Sequence, residues 1–254
     1  MTDTAPPAPV VILIHGAGLN GASWNAVRRH IDPRVRLITP DLPGHGARIA
    51  ERFTLQGAVD TVVAAARSAE GAPVVVGGDS LGGYTATASA SALPPGQLKG
   101  LVLSGCSANL VGARVMLPFV MKRVTTKLMN LLMNQKQIDK ALVNMLRKFG
   151  VDEADITTMM AAQMNPGVFP DAVDALHGVD FRAMVAATTQ PIMFVNGGND
   201  KIFVRQEAAF VAAARAPQRY TFDNTDHGVS LLRSADFAGV VNRFAAPLLQ
   251  LAPA

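Results

Sequence analysis

The chain of 254 residues contains a single cysteine, Cys106, so no internal disulfide can form and no oxidising compartment is required. Charge is scarce as well: 17% of residues are charged and the formal net charge is a mild +4. Dense Lys/Arg clusters interleaved with aromatics are missing, which sets nucleic-acid binding aside. The apolar run Val10 to Ile14 is far shorter than the roughly 20 residues a membrane helix needs. At the N-terminus, MTDTAPPAP carries an acid and prolines where a secretory leader carries basic residues, so the expected compartment is the cytoplasm, and membrane contact is not expected. Internal repeats and low-complexity tracts are absent. No set of His, Asp and Glu has metal-ligand spacing, and no glycine run matches the phosphate-binding G-x-x-x-x-G-K pattern. Neither a metal nor another cofactor is expected.

What is present is apolar: 49% of residues, the composition of a packed globular chain long enough for one α/β domain with an insertion. Short β-branched runs recur at VVILI (10 to 14), VRLIT (35 to 39), PVVVG (73 to 77), GLVLSG (100 to 105), PIMFVNG (191 to 197) and RYTFD (219 to 223). Runs apolar on both faces imply a buried parallel sheet. The stretches between them, Trp24 to Ile31, Leu55 to Ala69, Gly83 to Ala92, Val204 to Ala214 and Leu231 to Leu251, are long enough to be crossover helices. The pattern predicts an α/β fold with a doubly wound, mainly parallel six-stranded sheet. Residues 110–185 break the rhythm with helical periodicity and no clear strand, and are expected to form a helical cap after the fourth strand. The core would then comprise 1–109 and 186–254.

The most informative stretch is GGDSLGG, 77 to 83, in which Ser80 follows a buried strand and precedes a helix. So sharp a turn strains its central residue. Gly78 and Gly82 remove the Cβ atoms that would collide as strand and helix approach, and Gly77 and Gly83 are expected to relax the flanking backbone. The hydroxyl is thereby offered at a strand end and a helix N-terminus. A serine alcohol is a poor nucleophile and needs a general base oriented by a carboxylate. In this topology the two follow later strands, acid before base, and the chain supplies Asp200 in NGGNDKIF and His227 in NTDHGVSL. Asp223 and Asp226 are rivals for the acid, but lie so close to His227 that they are ranked as loop-stabilising residues.

With HGAGLNGASW (15 to 24), DLPGHG (41 to 46), GGDSLGG, the Asp200 loop and the His227 loop, the chain resembles the α/β-hydrolases everywhere except the cap. The start of the first strand at Val10 implies a compact six-stranded core without the N-terminal hairpin of larger members. Compactness and HGAG…W are similar to the methylesterase and hydroxynitrile lyase branch and to small bacterial esterases. The resemblance implies an oxyanion hole made of the backbone N–H groups of Leu81, after the nucleophile, and Ala17, after the His-Gly pair. Three departures, Asp79 before the nucleophile, Val204 after the acid and Asp226 before the histidine, leave the branch and substrate open. A serine at the elbow argues against the epoxide hydrolase and haloalkane dehalogenase branches, which use a carboxylate nucleophile.

The expected activity is that of a serine hydrolase cleaving a small-molecule carboxylic ester with an apolar acyl group. Thioester, lactone or carbon–carbon bond hydrolysis, cyanohydrin cleavage, perhydrolysis on the same triad, and a slowly turning-over receptor are the alternatives. His15 and His45 are read as braces of their loops, with Asp41 a partner for backbone N–H groups. His30 and His177 have no motif context. Cys106 is read as a small buried side chain. Nine methionines between 116 and 184 are candidates for an adaptable pocket roof, of which two or three would suffice. From Ile138 to Phe149 an apolar face stands opposite Lys136, Lys140 and Arg147; the basic side is read as the solvated outside of the cap, with contact to an anionic membrane as the alternative. Oligomeric state is left open.

Overall fold

The computed structural model describes residues 8–250; most of the N-terminal stretch and Leu251, where the last helix was expected to end, lie outside them. Six strands form one all-parallel sheet: β1 (Val10–Ile14), β2 (Arg36–Ile38), β3 (Val74–Asp79), β4 (Leu98–Ser104), β5 (Ile192–Gly197) and β6 (Pro217–Phe222), in the order β2-β1-β3-β4-β5-β6. The chain starts inside the sheet, runs to one edge through β2, crosses back to β3 and then proceeds to the other edge. This reversal is what a doubly wound sheet requires, and it opens a crevice at the strands' carboxyl ends between β1 and β3.

Eleven α-helices are formed among the described residues: α1 (Asn25–Arg28), α2 (Leu55–Arg67), α3 (Leu81–Ser89), α4 (Ala113–Leu132), α5 (Gln135–Lys148), α6 (Glu153–Ala161), α7 (Phe169–Leu176), α8 (Phe181–Ala187), α9 (Lys201–Ala213), α10 (Val229–Leu232) and α11 (Ser234–Gln250). The period-2 alternation of β1 divides its side chains between two cores. Val10, Ile12 and Ile14 face the layer of α2, α3, α8 and α9, whereas Val11 and Leu13 face α1 and α11. Both faces of the strand are buried, which is why it reads as an unbroken apolar run.

The helix boundaries differ from the sequence expectation for local reasons. The stretch expected from Trp24 starts earlier, in a 3-10 turn at Gly21–Trp24, because the Asn20 side chain accepts from the Ala22 N–H. Leu231 to Leu251 is two helices, with Arg233 at φ −137° between them. β3 continues through its glycines to Asp79, so α3 begins at Leu81, directly behind Ser80.

Between β4 and β5 lie α4 to α8 and no strand. α5 starts at a capping box between Asn134 and Gln137 and turns Ile138, Leu142 and Leu146 onto Ile156 and Met159 of α6, forming a separate small core. α8 instead packs on α3 and α9, in the layer that covers the sheet. Among the described residues no helix is long and apolar enough to cross a membrane.

Candidate active site

Ser80 adopts φ 55° and ψ −114°, a conformation that costs a non-glycine residue about 1–3 kcal/mol. The turn is fixed from two sides: the Ser80 N–H donates to the Ser104 carbonyl (2.7 Å) and the Tyr84 N–H to the Ser80 carbonyl (3.2 Å). The surrounding glycines provide space. A Cβ on Gly78 would stand 2.3 Å from the Gly82 carbonyl carbon, and one on Gly82 only 1.9 Å from the carbonyl oxygen of Ile14 on β1. Gly77 and Gly83 do not relax the backbone as expected, since neither has a positive φ. Their role is also steric: a Cβ on Gly83 would lie 2.4 Å from Cys106 Sγ, and one on Gly77 3.0 Å from Val102 Cβ. Cys106 is thus a buried filler under α3, its thiol pushed up by burial and further by the charge of Asp79.

Two loops at the far strands are stitched to each other. The Gly198 N–H donates to the Phe222 carbonyl (2.9 Å) and the Asn199 N–H to the Thr225 carbonyl (3.0 Å). Gly197 lets them close, because a Cβ there would lie 2.3 Å from the Thr225 oxygen. Asp200 thereby meets His227, whose Nδ1–H donates to Asp200 Oδ2 at 2.6 Å. Asp200 stands at the N-cap of α9, yet its side chain bonds no backbone N–H of that helix. The carboxylate is committed to the imidazole instead. Asp223 and Asp226 are exposed, and neither hydrogen-bonds to His227. Phe203 stacks on the imidazole at 5.1 Å between ring centres.

The loop after β1 is braced by two neutral histidines. His15 Nε2 accepts from the Leu42 N–H (3.1 Å) and His45 Nε2 from the Gly18 N–H (3.0 Å). Each Nδ1 therefore carries the proton and donates to a carbonyl, of Gly16 and Pro43 respectively. Burial, reinforced by His45, lowers His15 to about 3, and burial also lowers His45. Asp41 accepts from the N–H groups of Gly21 (2.7 Å) and Ala47 (2.8 Å). This frame brings Gly16 against the elbow: a Cβ there would stand 3.8 Å from Ser80 Cβ.

The result is one cavity of about 420 Å³ whose wall includes Ala17, Ser80, Asp200 and His227. Leu81 is buried beneath it, with its N–H in the first turn of α3. Among the described residues neither the Ala17 nor the Leu81 N–H has a hydrogen-bond acceptor. Residues 11–243 match the Alpha/beta hydrolase family. The chain belongs to that family.

Sequence relatives of this α/β-hydrolase include a pimeloyl-[acyl-carrier protein] methyl ester esterase of Aromatoleum aromaticum, 26% identical over 92% of this chain and 96% of that enzyme. The lipase LipV of Mycobacterium tuberculosis is 36% identical over a shorter stretch, 43% of this chain and 42% of the lipase. Among solved structures, a thermophilic esterase from Thermogutta terrifontis superposes with a TM-score of 0.74 at 20% identity, over 96% of this chain and 92% of the esterase. An enol-lactonase from Burkholderia xenovorans also gives 0.74, at 18% identity over 94% and 92% of the two chains.

Several contacts around this site have no signal in the sequence. Asp79, wholly buried, accepts from Ser104 Oγ (2.8 Å) and Ser230 Oγ (2.9 Å). Burial raises its pKa, against the opposing pull of His227 and these two hydroxyls. The His227 ring is reached from the cavity on one side and enclosed by protein on the other. Burial disfavours its imidazolium, but the Asp200 hydrogen bond and the charges of Asp79 and Asp200 outweigh that, so its pKa is raised above 6.5. The roof also differs from expectation. It is built from Phe119, Phe149 and Phe169, and of the nine methionines only Met145 reaches it. Met133, Met160 and Met164 line a separate recess of about 610 Å³ that holds none of the candidate catalytic groups. Phe119 and Phe169 stack nearly parallel (7°), and the Lys122 ammonium sits 4.4 Å from the centre of the Phe169 ring. Lys122 is exposed as a residue, yet its head group is crowded by the protein and its pKa falls through desolvation.

Proposed function

We propose that the protein is a serine hydrolase that cleaves carboxylic esters through an acyl-enzyme, with Ser80 as nucleophile, His227 as base and then acid, and Asp200 orienting the imidazole. The observation that carries this reading is the 2.6 Å bond from His227 Nδ1–H to Asp200 in the cavity that also holds the strained Ser80. With Nδ1 committed to Asp200, Nε2 is the nitrogen left to take the Ser80 proton. Ser80 Oγ then bonds the carbonyl carbon, and the negative charge moves to the carbonyl oxygen. The free N–H groups of Ala17 and Leu81 receive that oxyanion. Collapse breaks the carbon–oxygen bond to the alcohol, which leaves with the proton from Nε2. Water repeats the cycle, giving its proton to His227 and its oxygen to the acid, and Ser80 is regenerated.

The acyl group is apolar, since the roof over Ser80 is phenylalanine and the adjoining wall includes Ile202 and Leu231. In this reading residues 110–185 act as a cap, choosing the substrate while the core loops break the bond. Relatives that include methyl ester esterases support an ester as the reacting group. The test is labelling with a serine-reactive fluorophosphonate followed by peptide mass analysis. Ser80 should carry the label, and Ser80→Ala should lose both the label and about 10⁴-fold or more in kcat while keeping its far-UV spectrum. Labelling at another serine, or near-normal turnover by Ser80→Ala, overturns the assignment.

A further inference from the structure

Helix α4 turns an apolar side to the solvent. Leu117, Met121, Val124, Leu128, Leu131 and Leu132 are between 51% and 79% exposed. At 100° per residue they fall within an arc of about 100°, and from Leu117 to Leu132 they cover about 22 Å of helix. The opposite side of the same helix does face the protein: Thr126 is buried, and Val115, Phe119, Met129 and Met133 pack on the adjoining cores. α4 is thus apolar on both sides, and the outer stripe is more continuous than scattered surface leucines would be. α5, the helix whose sequence suggested an amphipathic surface, turns its apolar side inward and offers no such stripe.

Charge selects what covers the stripe. Of the chain's 23 lysines and arginines and 19 acids, residues 113–148 hold eight and one. α4 itself carries Arg114, Lys122, Arg123 and Lys127 and no acid. Arg123 pairs with Asp174 and Lys122 turns to the cavity, which leaves Arg114 and Lys127 without an ion pair among the described residues. A second copy of this chain would match the apolar stripe but would set helices whose flanking charges are all basic against each other. An acidic protein would match the charge, yet would also need an apolar groove as long as the helix. An anionic lipid surface satisfies both demands: acyl chains take the stripe and headgroups take the flanking cations.

We infer that α4 lies in the interface of an anionic lipid surface, with its apolar stripe among the acyl chains and Arg114 and Lys127 at the headgroups. Pro118 and Phe119 of the same helix line the cavity of Ser80, so docking brings that cavity to within one helix of the lipid. The inference rests on the exposed stripe and its flanking charges; only the activity control of its test draws on the ester chemistry proposed above.

The experiment is flotation of the full chain with vesicles of phosphatidylcholine, alone or mixed with phosphatidylglycerol. Binding to the mixed vesicles should be about tenfold or more tighter than to phosphatidylcholine alone, and should weaken with salt. Val124→Glu/Leu128→Glu/Leu131→Glu should abolish it while hydrolysis of a water-soluble aryl ester stays at the wild-type rate. Leu131→Glu alone, at the most exposed position, should weaken binding and serves if the triple variant does not fold. Arg114→Gln/Lys127→Gln should remove most of the preference for anionic vesicles. The inference is overturned if mixed vesicles do not bind, or if the stripe variants bind as well as wild type. It is equally overturned if the wild type is a dimer that Leu131→Glu makes monomeric without vesicle binding, or if an acidic carrier protein binds the stripe where vesicles do not.

Discussion

Two carboxylates act on His227 in different ways. Asp200 touches the ring and fixes its tautomer, whereas Asp79 works through its charge from beneath the elbow, held by Ser104 and Ser230. Because both favour the imidazolium, the His227 ring becomes neutral at a higher pH than a free histidine, and in the proposed mechanism it is the neutral ring that acts. The kcat/KM profile should therefore rise with pH through an apparent pKa above 6.5 before it levels off. Asp79→Asn removes one of the charges that raise it, so the rising limb should move to lower pH with little loss on the plateau. Asp200→Asn should instead lower kcat by about 10⁴, because the imidazolium loses its partner and the tautomer its anchor. Profiles of the two variants from about pH 5 to 9 separate a charge effect from a positioning effect. If Asp79→Asn leaves the limb in place, its charge does not reach the base. That Ser80, Asp200 and His227 share one cavity follows from the sequence, because each sits in a short motif at a strand end. The anchors of Asp79 do not follow from it: Ser104 is 25 positions away and Ser230 is 151, and only the parallel register of β3 and β4 and the fold of α10 bring them together.

At the scale of elements, β1, β3, β4 and β5 show in the sequence as apolar runs because they are buried on both faces, whereas the edge strands β2 and β6 are more exposed and show only as short stretches with β-branched and aromatic residues. Helix ends were read less well, because they depend on a single capping side chain such as Asn20 or on the break at Arg233. The roof over Ser80 was misjudged for a related reason. Methionine outnumbers phenylalanine in the cap, but the position of each side chain on its helix decides which one reaches the cavity, and α4, the C-cap of α5 and the first turn of α7 each direct a phenylalanine there. Truncating these rings should alter substrate choice without harming the chemistry. For Phe119→Ala and Phe169→Ala, kcat/KM across a series of aryl esters should fall by about 10- to 200-fold for medium and aromatic acyl groups, each ring counting for about 1–3 kcal/mol. The acetate ester should be nearly unaffected. Met145→Ala should shift the chain-length optimum slightly, and Met160→Ala, which lines the other recess, should not shift it. Uniform losses that include acetate would mean that the roof helps to build the catalytic machinery.

For the whole molecule, His15 and His45 on one side and His227 on the other have opposite dependence on pH. His15 is held at about 3 in the folded chain against 6.5 when unfolded, because burial and the neighbouring His45 disfavour the proton. Below pH 6.5 the unfolded chain therefore takes up a proton that the folded chain refuses, and stability falls with decreasing pH until about pH 3. His45, also lowered by burial, adds to this loss. His227 has the reverse sign: its folded pKa is raised, so its contribution is complete below 6.5 and disappears as pH rises through the folded value. Acid should thus act in two stages. Activity should fail first, as His227 takes its proton while the fold persists, and unfolding should follow at lower pH as the braces of the β1 loop are forced to charge. Urea midpoints measured at several pH values between about 8 and 4, beside kcat/KM, check the order. His15→Gln should start from a lower midpoint, since it loses a buried bond, yet decline less steeply with acid than the wild type. An unchanged slope in His15→Gln would place the acid sensitivity of the fold outside the β1 loop.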